Sequence, residues 1–252
     1  MRLKTPTPVL VTLAAVMIGL ATPTLAYAAG FSASAERPAS PQHAGWGQRL
    51  VNSQQFRRML AAANLVNLPH NVPIVVRSCG RVNAWYNRRE QRISICYEYM
   101  ERLRERLQRA SRSGADVDAR MLDATTLITM HEIGHAYVHQ LSLRVSGSEE
   151  DAADQIAALL CLWGDRSGRD AMTAFRGAAA LRQSGGGGGD AHAAGPARYR
   201  AISCLIYGQR PGERGVFVRE GVLPAGRAAS CPGEYSRASA SWARTLRPFM
   251  RR

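Results

Sequence analysis

The run DARMLDATTLITMHEIGHAYVHQLSL, Asp118 to Leu143, constrains this chain more than any other. Its apolar spacing predicts the longest helix. The flanks TLIT and AY carry no charge, so the helix can sit buried beneath a cleft. Its middle holds His131, Glu132 and His135, and burying such groups without partners is costly. Two positions four apart on a helix lie about 40° and about 6 Å from each other. Both imidazoles can therefore reach one zinc ion at about 2.1 Å. Glu132, about 100° round the helix, is placed to deprotonate a water while staying off the metal. In a chain of this composition a chance H-E-x-x-H is roughly a one-in-a-hundred event. Gly134 lowers helix propensity, and its missing side chain would let another element approach closely.

A catalytic zinc site needs a third protein ligand. His139 continues the four-residue spacing but lies about 6 Å further along a straight helix, which makes it a helix-face residue. The H-x-x-G-x-x-H extension that brings in a third histidine is absent from the sequence. The segment SGSEEDAADQIAALL offers Glu150 and Asp154, one turn apart on the next predicted helix. Glu150 could close the site, and Asp154 could accept a hydrogen bond from a ligand histidine and fix its tautomer. The same residues also suit a helix start: Ser148 as N-cap, Asp151 at the third helical position, and acids in the first turn. Capping and ligation both remain open here, with Glu149 and Asp151 as alternative ligands.

Elsewhere the pattern predicts a helix from Trp46 to about Asn64 and a strand at Val72 to Cys79. NAWYN and RISICYE read as two strands joined by the turn RREQ. The helix EYMERLRERLQRA places Glu98–Arg102 and Glu105–Arg109 as opposite-charge pairs at i,i+4. Further helices are expected at RDAMTAFRGAAALRQ, at ARYRAISCLIYG and, after a loop, at SRASASWARTLRPFM. The expected fold class is α+β: a helical majority, a small antiparallel sheet and disulfide staples.

Residues 1–28 carry Arg2 and Lys4, an apolar stretch from Val9 to Leu20 and the small residues of AYA. They read as a signal peptide. The apolar run is short for a membrane span, and no later segment approaches that length. A cleaved chain exported to the periplasm, envelope or medium follows, without a transmembrane segment. Residues 29–45 read as a flexible lead-in, residues 46–252 as one domain, and 184–195 within it as a glycine-rich insertion. Outside the cytoplasm the five cysteines favour disulfides. Cys79 and Cys96 bracket the hairpin, Cys204 and Cys231 bracket the C-terminal loop, and Cys161 reads as a buried thiol. None has C-x-x-C spacing, which argues against a cysteine zinc site. The net charge is +14 with a single lysine, Lys4. The arginines are scattered, with no nucleic-acid motif, so nucleic acid is not the expected partner.

Several segments together resemble one bacterial family of exported metallopeptidases, catalogued mainly as a domain of unknown function. They are SCGRVNAWYNRREQRISICYEYMERL, HEIGHAYVHQLSLRVSGSEEDAADQIAALL, RYRAISCLIYGQRP and LPAGRAASCPGEY with the later SW. The resemblance implies a zincin-like fold of the gluzincin type, with His131, His135 and Glu150 as zinc ligands and Glu132 as general base. It supplies no substrate. A transition-state oxyanion would want one more donor, for which Arg198, Tyr199, Tyr207 and His192 stand as unranked candidates. The expectation is an exported zinc hydrolase acting on a peptide or protein. The alternative is a non-catalytic zinc-containing module that binds envelope polymer or protein. The sequence sets no oligomeric state.

Overall fold

The computed structural model describes residues 29–110, 116–163, 168–183 and 196–251. The segments read as a signal peptide (1–28) and as a glycine-rich insertion (184–195) lie outside these residues. Four strands form one sheet: β1 Phe31–Ala35, β2 Val72–Arg77, β3 Ala84–Asn87 and β4 Arg92–Cys96. The helices are α1 Trp46–Asn52, α2 Gln54–Ala63, α3 Tyr97–Ala110, α4 Val117–Gln140, α5 Glu149–Leu160, α6 Arg169–Gln183, α7 Pro196–Gln209, α8 Val216–Arg219, α9 Ala225–Ala228 and α10 Cys231–Leu246. The fold is α+β, as the sequence predicts. Among the described residues no helix is long and apolar enough to cross a membrane.

The sheet corrects one expectation. Its order is β1-β2-β4-β3, and β1, β2 and β4 run parallel; only the β3–β4 hairpin is antiparallel. After β2 the chain skips one place to lay down β3, then turns back and fills the gap with β4. Side-chain alternation identifies a strand but says nothing about the direction of its neighbour. The inner strands bury Val72, Ile74 and Val76 from β2 and Ile93 and Ile95 from β4. Each such side chain contributes about 1.5–3 kcal/mol on leaving water.

The lead-in is a second correction, because Phe31–Ala35 is the strand β1, in register with Val72–Val76. Small residues hid it: only Phe31 is buried, and the rest alternate between exposed and half-buried. Asn64 secures its start, accepting from the Phe31 N–H at 2.8 Å and donating to the Phe31 carbonyl at 2.9 Å. The helix expected from Trp46 to Asn64 breaks at Ser53, whose hydroxyl accepts from the Phe56 N–H and caps α2. The Glu98–Arg102 pair is not formed. Glu98 instead accepts from the N–H groups of Cys79 (3.0 Å) and Gly80 (2.9 Å), while Arg102 reaches Glu105 at 3.7 Å. Backbone donors fixed in a loop offer a half-buried carboxylate more than an exposed arginine does. Glu105–Arg109 holds at 3.9 Å.

Both expected disulfides are present, Cys79–Cys96 closing the hairpin region and Cys204–Cys231 joining α7 to α10; Cys161 is free and buried. In the chain-entropy model each contributes about 3 kcal/mol.

The centre of the molecule is α4, in which every residue from Ala124 to Val138 is buried. A helix surrounded on all faces needs no amphipathic stripe. Its buried hydroxyls are satisfied within the helix: Thr125, Thr126 and Thr129 donate to the carbonyls four residues back, each at 2.8 Å. Gly134 lets α5 lie directly against α4. A Cβ there would stand 2.7 Å from the Ala153 Cα and 2.9 Å from its carbonyl oxygen. Gly177 does the same for α6, where a Cβ would meet the Asp123 carbonyl oxygen at 2.6 Å. Two backbones brought this close fix the relation between the helix carrying the histidines and the helix carrying the acids.

Candidate metal centre

His131 and His135 are buried side by side on α4, their rings at 89° with centroids 4.7 Å apart. Their Nε2 atoms stand 3.0 Å from each other. Glu150 enters from the first turn of α5. Its Oε2 lies 3.4 Å from His131 Nε2 and its Oε1 3.2 Å from His135 Nε2. Ligand atoms held about 2.1 Å from a tetrahedral zinc ion are about 3.4 Å apart. The three donors thus fit one small metal cation. Four carboxylates (Glu132, Glu149, Glu150 and Asp154) face two guanidiniums (Arg88 and Arg198) around these imidazoles. Acidic groups thus outnumber guanidiniums around the imidazoles, which favours a bound cation.

The far nitrogen of each imidazole is held by another acid. His131 Nδ1 faces Asp154 Oδ1 at 2.9 Å, the support expected from the sequence. Asp154 is in turn gripped by Arg198 of α7, through Nε to Oδ2 and through Nη2 to Oδ1 at 2.8 Å. Arg198 also reaches Glu150 Oε2 at 3.1 Å, and its Nη2 lies 2.8 Å from His131 Nδ1. His135 Nδ1 faces Glu149 Oε1 at 2.7 Å, and Glu149 Oε2 takes Arg88 Nη2 at 2.5 Å. Glu149, an alternative ligand on sequence grounds, stands on the Nδ1 side and away from the three-donor cluster. Asp151 is also outside that cluster; its N–H completes the Ser148 cap at 3.0 Å.

Glu132 is fully buried, and its Oε2 accepts from the Tyr86 N–H of β3 at 2.8 Å. It shares a cleft of about 290 Å³ with Tyr86, Arg88, His135, Glu149 and Glu150. The edge strand thus orients the acid next to the donor set. His139 lies apart from the donors, with Nδ1 at 2.9 Å from the Tyr86 hydroxyl, as a helix-face residue should. Of the four unranked candidates, the structure brings Arg198 to the site. Tyr199 is buried and Tyr207 packs on Phe217, while His192 lies outside the described residues.

Burial works against a charge on His131. The hydrogen bonds that the ring N–H groups donate to Asp154 and Glu150, with the charge of Glu132 nearby, outweigh it and push the imidazole up to about 9. Without a metal the site thus holds a proton, and a cation must displace it. Burial would raise the Glu149 carboxyl, but Arg88 and His135 prevail and hold it low.

Sequence reasoning missed the roles of Arg198, Arg88 and Tyr86. Arg198 is 44 residues beyond Asp154, and only tertiary packing joins them. The family model DUF4344, described as "Putative metallopeptidase", matches residues 36–246. No curated protein and no solved structure matches this chain.

Proposed function

Because this chain belongs to the DUF4344 family, we propose that it is an exported zinc peptidase with Glu132 as general base. The observation that carries this is the donor triangle, His131, His135 and Glu150 at 3.0–3.4 Å, beside a buried glutamate on a cleft wall. Zinc, when held by these three residues, supplies Lewis acidity and lowers the pKa of a water toward 7.

The remaining work falls to the chain itself. Glu132 takes the proton of the attacking water and delivers it to the leaving amine. The Tyr86 N–H fixes the carboxylate so that no search for orientation is needed at each turnover. Asp154 and Glu149 face the Nδ1 of each imidazole, which favours the tautomer that carries its proton there and turns Nε2 to the metal. A place outside the cytoplasm is supported by the two disulfides, and removal of residues 1–28 follows from their signal-peptide pattern. The substrate is a peptide or protein.

The test is metal analysis of the purified mature chain together with cleavage of a broad peptide library. Glu132→Gln should keep stoichiometric zinc and lose cleavage by at least a hundredfold. His131→Ala should lose zinc. Zinc that survives His131→Ala removes the metal centre. A zinc-loaded wild type that cuts nothing in the library leaves a non-catalytic binding module in place of the enzyme.

A further inference from the structure

Two long stretches of this sequence hold no acid. Residues 37–89 and 235–252 contain neither Asp nor Glu, and their thirteen arginines nearly account for the net charge of +14. The fold joins the two stretches just beyond α2 and α10. Met250 pairs with Val66 in an antiparallel bridge. On either side of it the Asn67 N–H donates to the Phe249 carbonyl at 2.7 Å and the Arg251 N–H to the Leu65 carbonyl at 2.8 Å. Arg251 Nη2 also donates to the Ala29 carbonyl at 3.2 Å, which brings the start of the described chain to the same place.

We propose that this junction is a docking surface for an anionic lipid bilayer, with Arg244, Arg247 and Arg251 against lipid phosphates and Leu65 and Met250 entering the interface. The three arginines are exposed. Among the described residues neither Arg244 nor Arg247 has an ion pair, whereas the exposed Arg102 and Arg109 of α3 both reach Glu105. Leu65 and Met250 are 48% and 36% exposed, and among the described residues Val82 alone joins them as an exposed large hydrophobic. Apolar side chains set among arginines suit the headgroup region, where the first enter the acyl boundary and the second meet phosphate. A soluble polyanion would use the arginines and leave Leu65 and Met250 in water.

The course of the chain agrees with a bilayer. The apolar stretch Val9–Leu20 joins the fold through Ala29, with only residues 21–28 between. A precursor held in a membrane by that stretch presents this junction to the lipid, and the surface keeps the mature chain there once the stretch is removed. The docking surface uses no residue of the metal centre and does not rest on the peptidase reading.

The experiment co-sediments the purified mature chain with vesicles of phosphatidylcholine alone and of phosphatidylcholine mixed with phosphatidylglycerol. Binding to the anionic vesicles should be tighter by about tenfold or more and should weaken as salt rises. Arg244→Gln with Arg247→Gln should lower that affinity about twentyfold, at about fivefold for each arginine near the surface. Arg102→Gln with Arg109→Gln removes the same charge from α3 and should lower it less than about threefold. Leu65→Ser with Met250→Ser should lower it about fivefold and leave binding to soluble polyphosphate unchanged. Circular dichroism melts check the fold of each variant, and Leu65→Gln alone replaces the serine pair if that pair unfolds. Failure to bind anionic vesicles, or equal losses from the α10 and α3 pairs, overturns the docking surface. A serine pair that binds vesicles as the wild type does overturns the bilayer and leaves a soluble polyanion as the partner. Cleavage of soluble peptides should be the same in all these variants; a library left uncut by the wild type sinks the peptidase reading alone.

Discussion

The two histidines are supported by the same chemistry in opposite surroundings. His131 leans on Asp154 and Arg198; His135 leans on Glu149 and Arg88. The side chain of Arg198 is 15% exposed and that of Asp154 8%, against 58% for Arg88 and 30% for Glu149. An ion pair taken out of water interacts strongly, and losing one partner strands the other. An exposed pair is screened and contributes little. The inner support is thus part of the core, while the outer one is adjustable from the cleft.

Breaking the inner support should have the largest effect. Asp154→Ala leaves Arg198 buried without its main partner, so we expect a loss of about 3–5 kcal/mol in denaturant melts. Zinc affinity, read by chelator competition, should fall about 10–100-fold. Next comes pH. The folded His131 stands at about 9 against an ordinary value of 6.5. In the metal-free protein its pairing therefore stabilises fully below about pH 6.5, and that contribution, on the order of 3 kcal/mol, is lost as pH rises through 9. Zinc must displace this proton, so affinity should rise over the same window. Urea midpoints and zinc titrations with opposite slopes would confirm the sign; parallel slopes would refute it.

Gly134→Ala acts on both supports at once, because α5 carries Asp154 and Glu149 together. Overpacking the seam should cost about 1–3 kcal/mol, visible as a lower melting temperature and weaker zinc binding. The smallest effect belongs to the outer support. Arg88→Ala should change stability by less than about 1 kcal/mol and zinc affinity by less than about threefold. If Arg88→Ala matched Asp154→Ala, the contrast between the two supports would be wrong.

Legibility in the sequence followed the range of each interaction. His131, Glu132 and His135 were readable because helix geometry alone brings them together. Glu150 and Asp154 are readable as an acid pair one turn apart, although the same residues suit a helix cap equally well and only the family resemblance favours ligation. Gly134 signalled a close approach, and Ala153 provides it. The cysteines paired as their positions around loops suggested. What escaped depends on distant partners. β1 is made of residues with weak strand preference and is held by β2 and Asn64. Glu98 found loop amides instead of Arg102. Arg198 has no local pattern that ties it to the acids it holds.

The seam at Gly134 has a consequence for the loop that follows α4. Glu150 takes its place because α5 rests on α4 backbone to backbone, with Ala153 against the glycine. Residues 141–148 are accordingly a tether and not a template. Lengthening or rewriting that stretch ahead of the Ser148 cap should leave the donor triangle where it is. A single methyl group at position 134, far smaller than any such insertion, should displace it.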